Sequence, residues 1–146
     1  MMPDGNPGMP GDAASEEAIR ELIGHIQVNQ QRMDALQQQA SLIQMSLNDL
    51  DNALKALTTL EGKGENQDLL VPIGAGSYIY AKLAAPDKAL IGLGAGVSVE
   101  KSFSDSRAVI QGRRSELEQV LLQTNGAIDQ VAQELGRLQQ EAQRYQ

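Results

Sequence analysis

The chain has 146 residues, a formal net charge of −7, no Cys and no Trp, and only three Tyr and one Phe. Aromatic side chains supply much of the buried area of compact cores, so this composition disfavours a single globule. The lack of Cys excludes disulfides, thiol chemistry and Cys-based zinc sites, and it fits a reducing cytosol. The acidic balance argues against nucleic acid, no apolar run approaches a membrane span of roughly 18 residues, and the N-terminus lacks signal-peptide features. We therefore expect a cytoplasmic protein without nucleic-acid or membrane partners.

Composition divides the chain into a tail and one domain. Residues 1–14 contain three Pro and three Gly and no large aliphatic residue other than Met, so we expect a disordered tail. The single domain predicted for residues 15–146 has three parts: a helix over 15–61, a block of strands over 68–103, and a second helix over 104–146. A polar break, GKGENQ, separates the first helix from the strands.

The first helix carries a heptad repeat that begins at Ile19 and runs through six heptads without a shift. An apolar seam of period 3.5 is typical of a coiled coil, whereas a globular helix shows a wider stripe. Only Asn29 interrupts it, and a polar residue there either fixes the register or marks a loosely packed stretch. The seam positions are Ile19, Leu22, Ile26, Asn29, Met33, Leu36, Ala40, Ile43, Leu47, Leu50, Leu54 and Leu57.

The second helix repeats the pattern less regularly, because Arg114 and Thr124 interrupt its seam. Two helices of similar length joined by a compact insert are expected to fold back as an antiparallel pair. In that register Ile19 lies near Tyr145, and Leu54 lies near Ile110.

Four short segments between the helices alternate apolar and polar residues, which predicts four β-strands. The unit strand–GAG–strand occurs twice at an offset of 20 residues, with Gly74 and Gly94 opening the two bends. Hairpins could form across these bends or across Pro86-Asp87.

Four strands from one chain leave unpaired edges, and little in this block protects them. We therefore expect strands from several copies to complete one another's sheets, as closed β-barrels that remove the edges. The residues expected to carry this assembly are Leu69, Val71, Ile73, Ile79, Leu83, Ile91, Leu93, Val97 and Val99.

The runs LVPIGAGSY at 70–78 and IGLGAGVSVEK at 91–101 resemble the signature of the archaeal prefoldin alpha subunit, and the likeness spans about 15–146. The resemblance implies a heterohexamer of two alpha and four beta subunits with a double β-barrel platform and six coiled-coil arms. It also implies an ATP-independent chaperone, or holdase, that binds non-native polypeptide at the arm tips and transfers it to a group II chaperonin.

The ends of a two-helix arm cannot bury every apolar side chain, so the tip residues are expected to be partly exposed and to bind unfolded clients. Ile23 lies beside the strict seam and is the strongest candidate for exposure. The candidate client-binding residues are Ile19, Leu22, Ile23, Ile26, Leu138, Ala142 and Tyr145.

No residue pattern predicts an enzyme, a metal site or a cofactor. The GAG runs fit only part of a dinucleotide fingerprint and precede strands, and His25 has no second His or Cys with which to hold a metal. The alternative to a chaperone is a structural coiled-coil adaptor that oligomerises through its strands and tethers folded partners.

Overall fold

The structure, a computed structural model, describes residues 10–145. It confirms the predicted α+β class, in which four short strands lie between two long helices in the order of the chain. The chain divides into two units, which we call the helix unit (described residues 10–44 and 120–145) and the hairpin unit (Met45–Gln119). The elements are α1 (Pro10–Leu60), β1 (Asp68–Gly74), β2 (Ser77–Lys82), β3 (Lys88–Gly94), β4 (Val97–Ser102) and α2 (Phe103–Gln143).

Helix α1 begins at Pro10, so residues 10–14 are helical and the prediction of a tail was wrong for them. Proline is favoured in the first turn of a helix, because its missing N–H would have no intrahelical acceptor there. Ala13 and Ala14 follow, and alanine is the strongest helix former. Residues 1–9, where the rest of that prediction falls, lie outside the described residues. The single domain over 15–146 stays a prediction.

The predicted heptad seam is the packing surface of α1, since every seam position from Ile19 to Leu57 is buried or half-buried. In the helix unit, Leu22 and Ile43 of α1 and Val131 and Leu138 of α2 are buried. Leu22 and Leu138 line one groove, whereas α1 contacts α2 further along through residues 39 and 124, so the helices are antiparallel. Full burial of each aliphatic side chain contributes about 1.5–3 kcal/mol to this pairing.

Two polar residues of the seam are satisfied in different ways. Thr124 is buried, and its hydroxyl donates to the carbonyl of Val120 at 2.8 Å and accepts from Gln39 Nε2 at 3.5 Å. Asn29 Nδ2 instead donates to the carbonyl of His25 at 2.8 Å. The amide of Asn29 is therefore satisfied within α1, and it does not fix the register through a bond across the seam.

The core of the hairpin unit joins both helices to the second hairpin. Leu57, Ile91, Phe103 and Ile110 are buried together, and Leu54 packs against this cluster as the antiparallel register predicts. Phe103 belongs to the first turn of α2, one residue earlier than predicted, and it is only 2% exposed.

Helix α2 has an N-cap that accounts for this start. Ser102 Oγ accepts a hydrogen bond from the backbone N–H of Asp105 at 3.0 Å, which satisfies one of the N–H groups that have no partner inside the helix. Asp105 also places a negative charge in the first turn, where the helix dipole favours it.

Ion pairs also link the two helices in the hairpin unit. Arg114, which interrupts the seam, binds Asp51 through Nε to Oδ1 at 2.5 Å and Nη2 to Oδ2 at 3.3 Å, and it also pairs with Glu118. Arg107 makes a similar bidentate contact with Glu61, with Nη1 at 2.5 Å from Oε2 and Nη2 at 2.9 Å from Oε1. The hydrogen bond from Arg114 lowers the pKa of Asp51, and it raises the pKa of Arg114 in turn. The break in the seam is thus a charged contact between the helices.

The four strands form two separate antiparallel hairpins, β1–β2 and β3–β4, each closed across a GAG bend. This decides the pairing that the sequence left open. The two central residues of each turn have positive φ, 51° and 72° at Ala75 and Gly76 and 51° and 75° at Ala95 and Gly96. Positive φ at both positions is what a type I′ turn requires, and its twist matches that of the strands.

Replacing Ala75 and Ala95 by Asn is expected to stabilise the protein by up to about 1 kcal/mol per hairpin, because Asn tolerates the left-handed conformation better than Ala. Urea unfolding followed by circular dichroism measures the change. Ala84→Asn, at an exposed position without positive φ, is the matched control. Equal changes at all three sites would contradict the turn assignment.

Asp51→Asn is expected to lower the melting temperature at neutral pH, because it removes the ionised partner of Arg114. Because the pKa of Asp51 is lower in the folded state, the ionised carboxylate stabilises the protein at pH values above its ordinary pKa of 3.8. This stabilisation is lost as the pH falls through the lowered pKa. The melting temperatures of the variant and the original chain should therefore converge as the pH falls below the lowered pKa of Asp51. Asp49→Asn, a carboxylate with no ion pair within the described residues, should show no such convergence.

Candidate functional site

Apolar side chains that the chain leaves uncovered fall into three places: the hairpins, the free ends of the two helices, and positions along the helices such as Val28, Leu42 and Leu122. In the first hairpin, the register Leu69↔Ala81 and Val71↔Ile79 defines one face, which we call the inner face because it contains the half-buried Leu69 and Ala81. The opposite side chains form an outer face. We call these the inner and outer faces of the hairpin below.

The residues predicted to carry assembly differ in how far their own chain covers them. Five are exposed and three are half-buried, so most remain available to a partner. The exposed residues are Val71, Ile73, Ile79, Leu93 and Val97, and the half-buried residues are Leu69, Leu83 and Val99. Within the described residues no third strand pairs with either hairpin, so each presents unpaired backbone N–H and C=O groups along both edges.

Ile91 is the exception among the predicted assembly residues, because it is only 6% exposed and belongs to the core of its own chain. The second hairpin is also tied to α2 by Arg113, whose Nη2 donates to the carbonyl of Gly92 at 2.6 Å. Alternation alone could not show this, since it identifies a buried face without saying which molecule covers it. Ile91 therefore anchors the second hairpin to the core of its own chain and is not exposed to a partner subunit.

The outer face of the first hairpin contains apolar residues that the sequence analysis did not assign to assembly. Leu70 pairs with Tyr80 and Pro72 with Tyr78, and the tyrosines are 89% and 60% exposed, respectively. The sequence feature that could have indicated them is the pair Tyr78 and Tyr80, which flank Ile79 in β2 and therefore lie on the opposite face of the strand. The first hairpin is thus apolar on both faces.

The free ends of the helices expose only part of the predicted client-binding set. Ile23 and Tyr145 are 48% and 42% exposed, respectively, as expected of a residue beside the seam and one at its end. Ile19, Ile26 and Ala142 are half-buried.

Partial exposure was wrong for Leu22 and Leu138, which are 6% and 1% exposed, respectively. Leu22 and Leu138 line the same groove, so the two helices still pack against each other at this end. We call the exposed Ile23 and Tyr145, with the half-buried Ile19, the tip surface.

The charged side chains beside the tip surface form ion pairs that stay exposed to solvent. Arg137 donates from Nη2 and Nε to the carboxylate of Glu134, at 2.6 and 3.1 Å, and from Nη1 to Glu141 at 3.3 Å. The hydrogen bond from Arg137 lowers the pKa of Glu134, and that from Glu134 raises the pKa of Arg137. A groove of about 260 Å³ beside them is lined by Ala18, Glu21, Leu22, His25, Arg137, Leu138, Glu141 and Tyr145.

Chemistry beyond binding finds no support in the part of the chain that the structure describes. There, no three His, Cys, Asp or Glu residues come together as metal ligands, and His25 lies exposed on α1. None of the helices described is long and apolar enough to span a membrane.

Comparison with known proteins agrees with this architecture. A family model described as prefoldin subunit matches residues 29–146. Prefoldin subunit alpha of Methanosarcina mazei is 33% identical over 92% of this chain and 96% of its own length, and that of Methanococcoides burtonii is 32% identical over 86% and 91%. A filamentous prefoldin from Methanocaldococcus jannaschii, solved by cryo-electron microscopy, shares the fold with a TM-score of 0.62 and 23% identity, over 86% of this chain and 98% of that one. The chain therefore belongs to the prefoldin family of chaperone subunits and is of the archaeal alpha type.

Proposed function

We propose that this chain is a subunit of an ATP-independent cytoplasmic holdase. Its tip surface binds non-native polypeptide, which the complex then transfers to a group II chaperonin. In this proposal the chain works by reversible binding, without a catalytic step.

The observation that carries this proposal is the tip surface itself. Ile23 and Tyr145 are large, exposed and adjacent to a closed seam. The pairing of the helices therefore does not require these two side chains to be buried. Exposed apolar surface of small area with a charged rim gives weak, non-selective contact with unfolded chains. The ion pairs of Arg137 with Glu134 and Glu141 at the rim are exposed to solvent. A client can therefore bind without breaking a buried ion pair.

The proposed complex is a heterohexamer of two alpha and four beta subunits, joined by strands into β-barrels. The two hairpins support this, because each has unpaired edges and exposed apolar residues that another subunit can cover. Barrel closure would satisfy the edge groups of every hairpin at once. Several curated relatives are alpha subunits of prefoldin, which favours a beta-type partner for this chain.

Ile23→Ser combined with Tyr145→Ser is expected to weaken client binding about tenfold, since each exposed apolar side chain contributes a fraction of its full burial energy. The measurement is light scattering from a denatured, unrelated protein in the presence of the complex assembled with a beta-type partner. Leu122→Ser, which removes an even more exposed aliphatic side chain elsewhere on the helix unit, is the control and should protect normally. Full protection by the double variant would favour the adaptor over the chaperone.

Ile79→Asp is expected to reduce the native mass of the complex to that of dissociated subunits, because a charge would enter an apolar interface. Ile79 is 49% exposed in the single chain, so the helices should still fold. Multi-angle light scattering measures the mass, and circular dichroism checks the helix content. Ser77→Asp, at an exposed position in the same strand, should keep the mass. An unchanged mass for Ile79→Asp would overturn assembly through the strands.

A further inference from the structure

One dipeptide of α2 has a chemistry that neither the fold nor the proposed function uses. Asn125 is followed by Gly126, and no other Asn in the chain precedes a Gly. Both residues are exposed on α2, and the side-chain amide of Asn125 makes no hydrogen bond within the described residues. A Gly after an Asn has no side chain to hinder attack of its main-chain nitrogen on the amide of that Asn.

The turn of α2 that contains this pair is a weak one. Thr124, Asn125 and Gly126 are three consecutive residues of low helix propensity. The hydroxyl of Thr124 donates to the carbonyl of Val120 at 2.8 Å, and such a bond to the carbonyl four residues earlier weakens a helix slightly. We therefore expect α2 to open locally at this turn more readily than in the turns around it.

Packing gives no reason for a glycine at position 126. A Cβ added to Gly126 would contact no atom within 4 Å beyond its chain neighbours and the backbone of its own helix, and the residue does not have positive φ. An Ala would fit here without strain, and it would be the better helix former. The fold therefore does not need the residue that makes Asn125 reactive, and Gly126→Ala is a clean variant for a test.

We propose that Asn125 is a site of spontaneous deamidation, with solvent water as the co-reactant. In the first step the main-chain nitrogen of Gly126 bonds to Cγ of Asn125, and the bond from Cγ to Nδ2 breaks. The Gly126 nitrogen gives its proton to the departing amide nitrogen, which leaves as ammonia, and a cyclic succinimide remains. Water then opens one C–N bond of this ring. Opening at Cγ gives aspartate, and opening at the main-chain carbonyl carbon gives isoaspartate.

The helix controls the rate of the first step. In a closed α-helix the N–H of residue 126 bonds to the carbonyl four residues earlier, so its nitrogen is held away from Cγ of Asn125. Ring closure therefore requires local opening of the helix, and the weak turn at Thr124 to Gly126 supplies it. The rate of deamidation is thus a measure of how often α2 opens at this point.

Isoaspartate at position 125 would disturb the pairing of the two helices. Its main chain runs through Cβ and Cγ and is longer by one methylene, so the helical hydrogen bonds cannot continue across it in register. Either product also adds a negative charge to residues 119–128, which contain no charged residue. The buried Thr124 and Val131 lie on the two sides of this point, so the damage falls inside the seam.

Mass spectrometry of the complex with a beta-type partner tests the site. The complex is incubated at mildly alkaline pH, and its tryptic peptides are analysed at intervals for aspartate and isoaspartate. Asn125 is expected to convert before Asn48, Asn52 and Asn66, none of which precedes a Gly.

Gly126→Ala is expected to slow this conversion at least about fivefold, because Ala stabilises the helix against opening. Gly112→Ala is the matched control, since Gly112 is another glycine of α2 with no contact to replace, and it should leave the rate at Asn125 unchanged. Circular dichroism should show a loss of helix as the product accumulates in the original complex, and a smaller loss in Gly126→Ala after the same time.

Three results would overturn the proposal: earlier conversion of another Asn, an equal rate in Gly126→Ala and the original chain, or no product at Asn125 in the complex. The last result would show that α2 stays closed at this turn. None of these measurements depends on client protection, so the proposed function and this modification are tested separately.

Discussion

A hairpin of two strands has two open edges and two faces, and one chain of this protein covers only part of them. The edges carry backbone N–H and C=O groups that no third strand pairs within the described residues. The inner faces carry aliphatic residues that the helices reach only in part. In the proposed assembly, other subunits cover these edges and faces, and the helices of the same chain support the hairpins.

The helices of the hairpin unit supply that support unequally. Ile91 enters the core between Leu57, Phe103 and Ile110, and Arg113 binds the carbonyl of Gly92, so the second hairpin is held by its own chain. The first hairpin has no comparable buried anchor, and its exposed residues lie on both faces. The two copies of the repeated unit therefore differ: the second hairpin is attached to the helices through a buried residue, and the first keeps its apolar residues exposed, where the proposed assembly would cover them.

In the helix unit the constraint is the opposite, because the seam is almost completely closed. Leu22, Val131 and Leu138 are buried, and the polar Thr124 is satisfied by hydrogen bonds. The apolar groups that stay exposed lie off the seam, as Ile23, Val28 and Leu122 do, or at its end, as Tyr145 does. In the proposed function, clients bind residues that helix pairing does not need, so binding at the tip does not loosen the helices.

The sequence by itself determined the element types, the heptad seam and the antiparallel register, since periods of 3.5 and 2 follow directly from helix and strand geometry. It also indicated the two GAG turns, although the positive φ of Ala75 and Ala95 and the choice of pairing needed the fold. Only the tertiary structure decided which apolar residues stay exposed. Leu22 and Ile23 are neighbours of similar hydrophobicity, and Ile79 and Ile91 occupy similar strands, yet one member of each pair is buried and the other is exposed. Burial depends on which element packs over a position. A local sequence pattern shows on which face of a helix or strand a residue lies, but it does not show whether another element packs against that face.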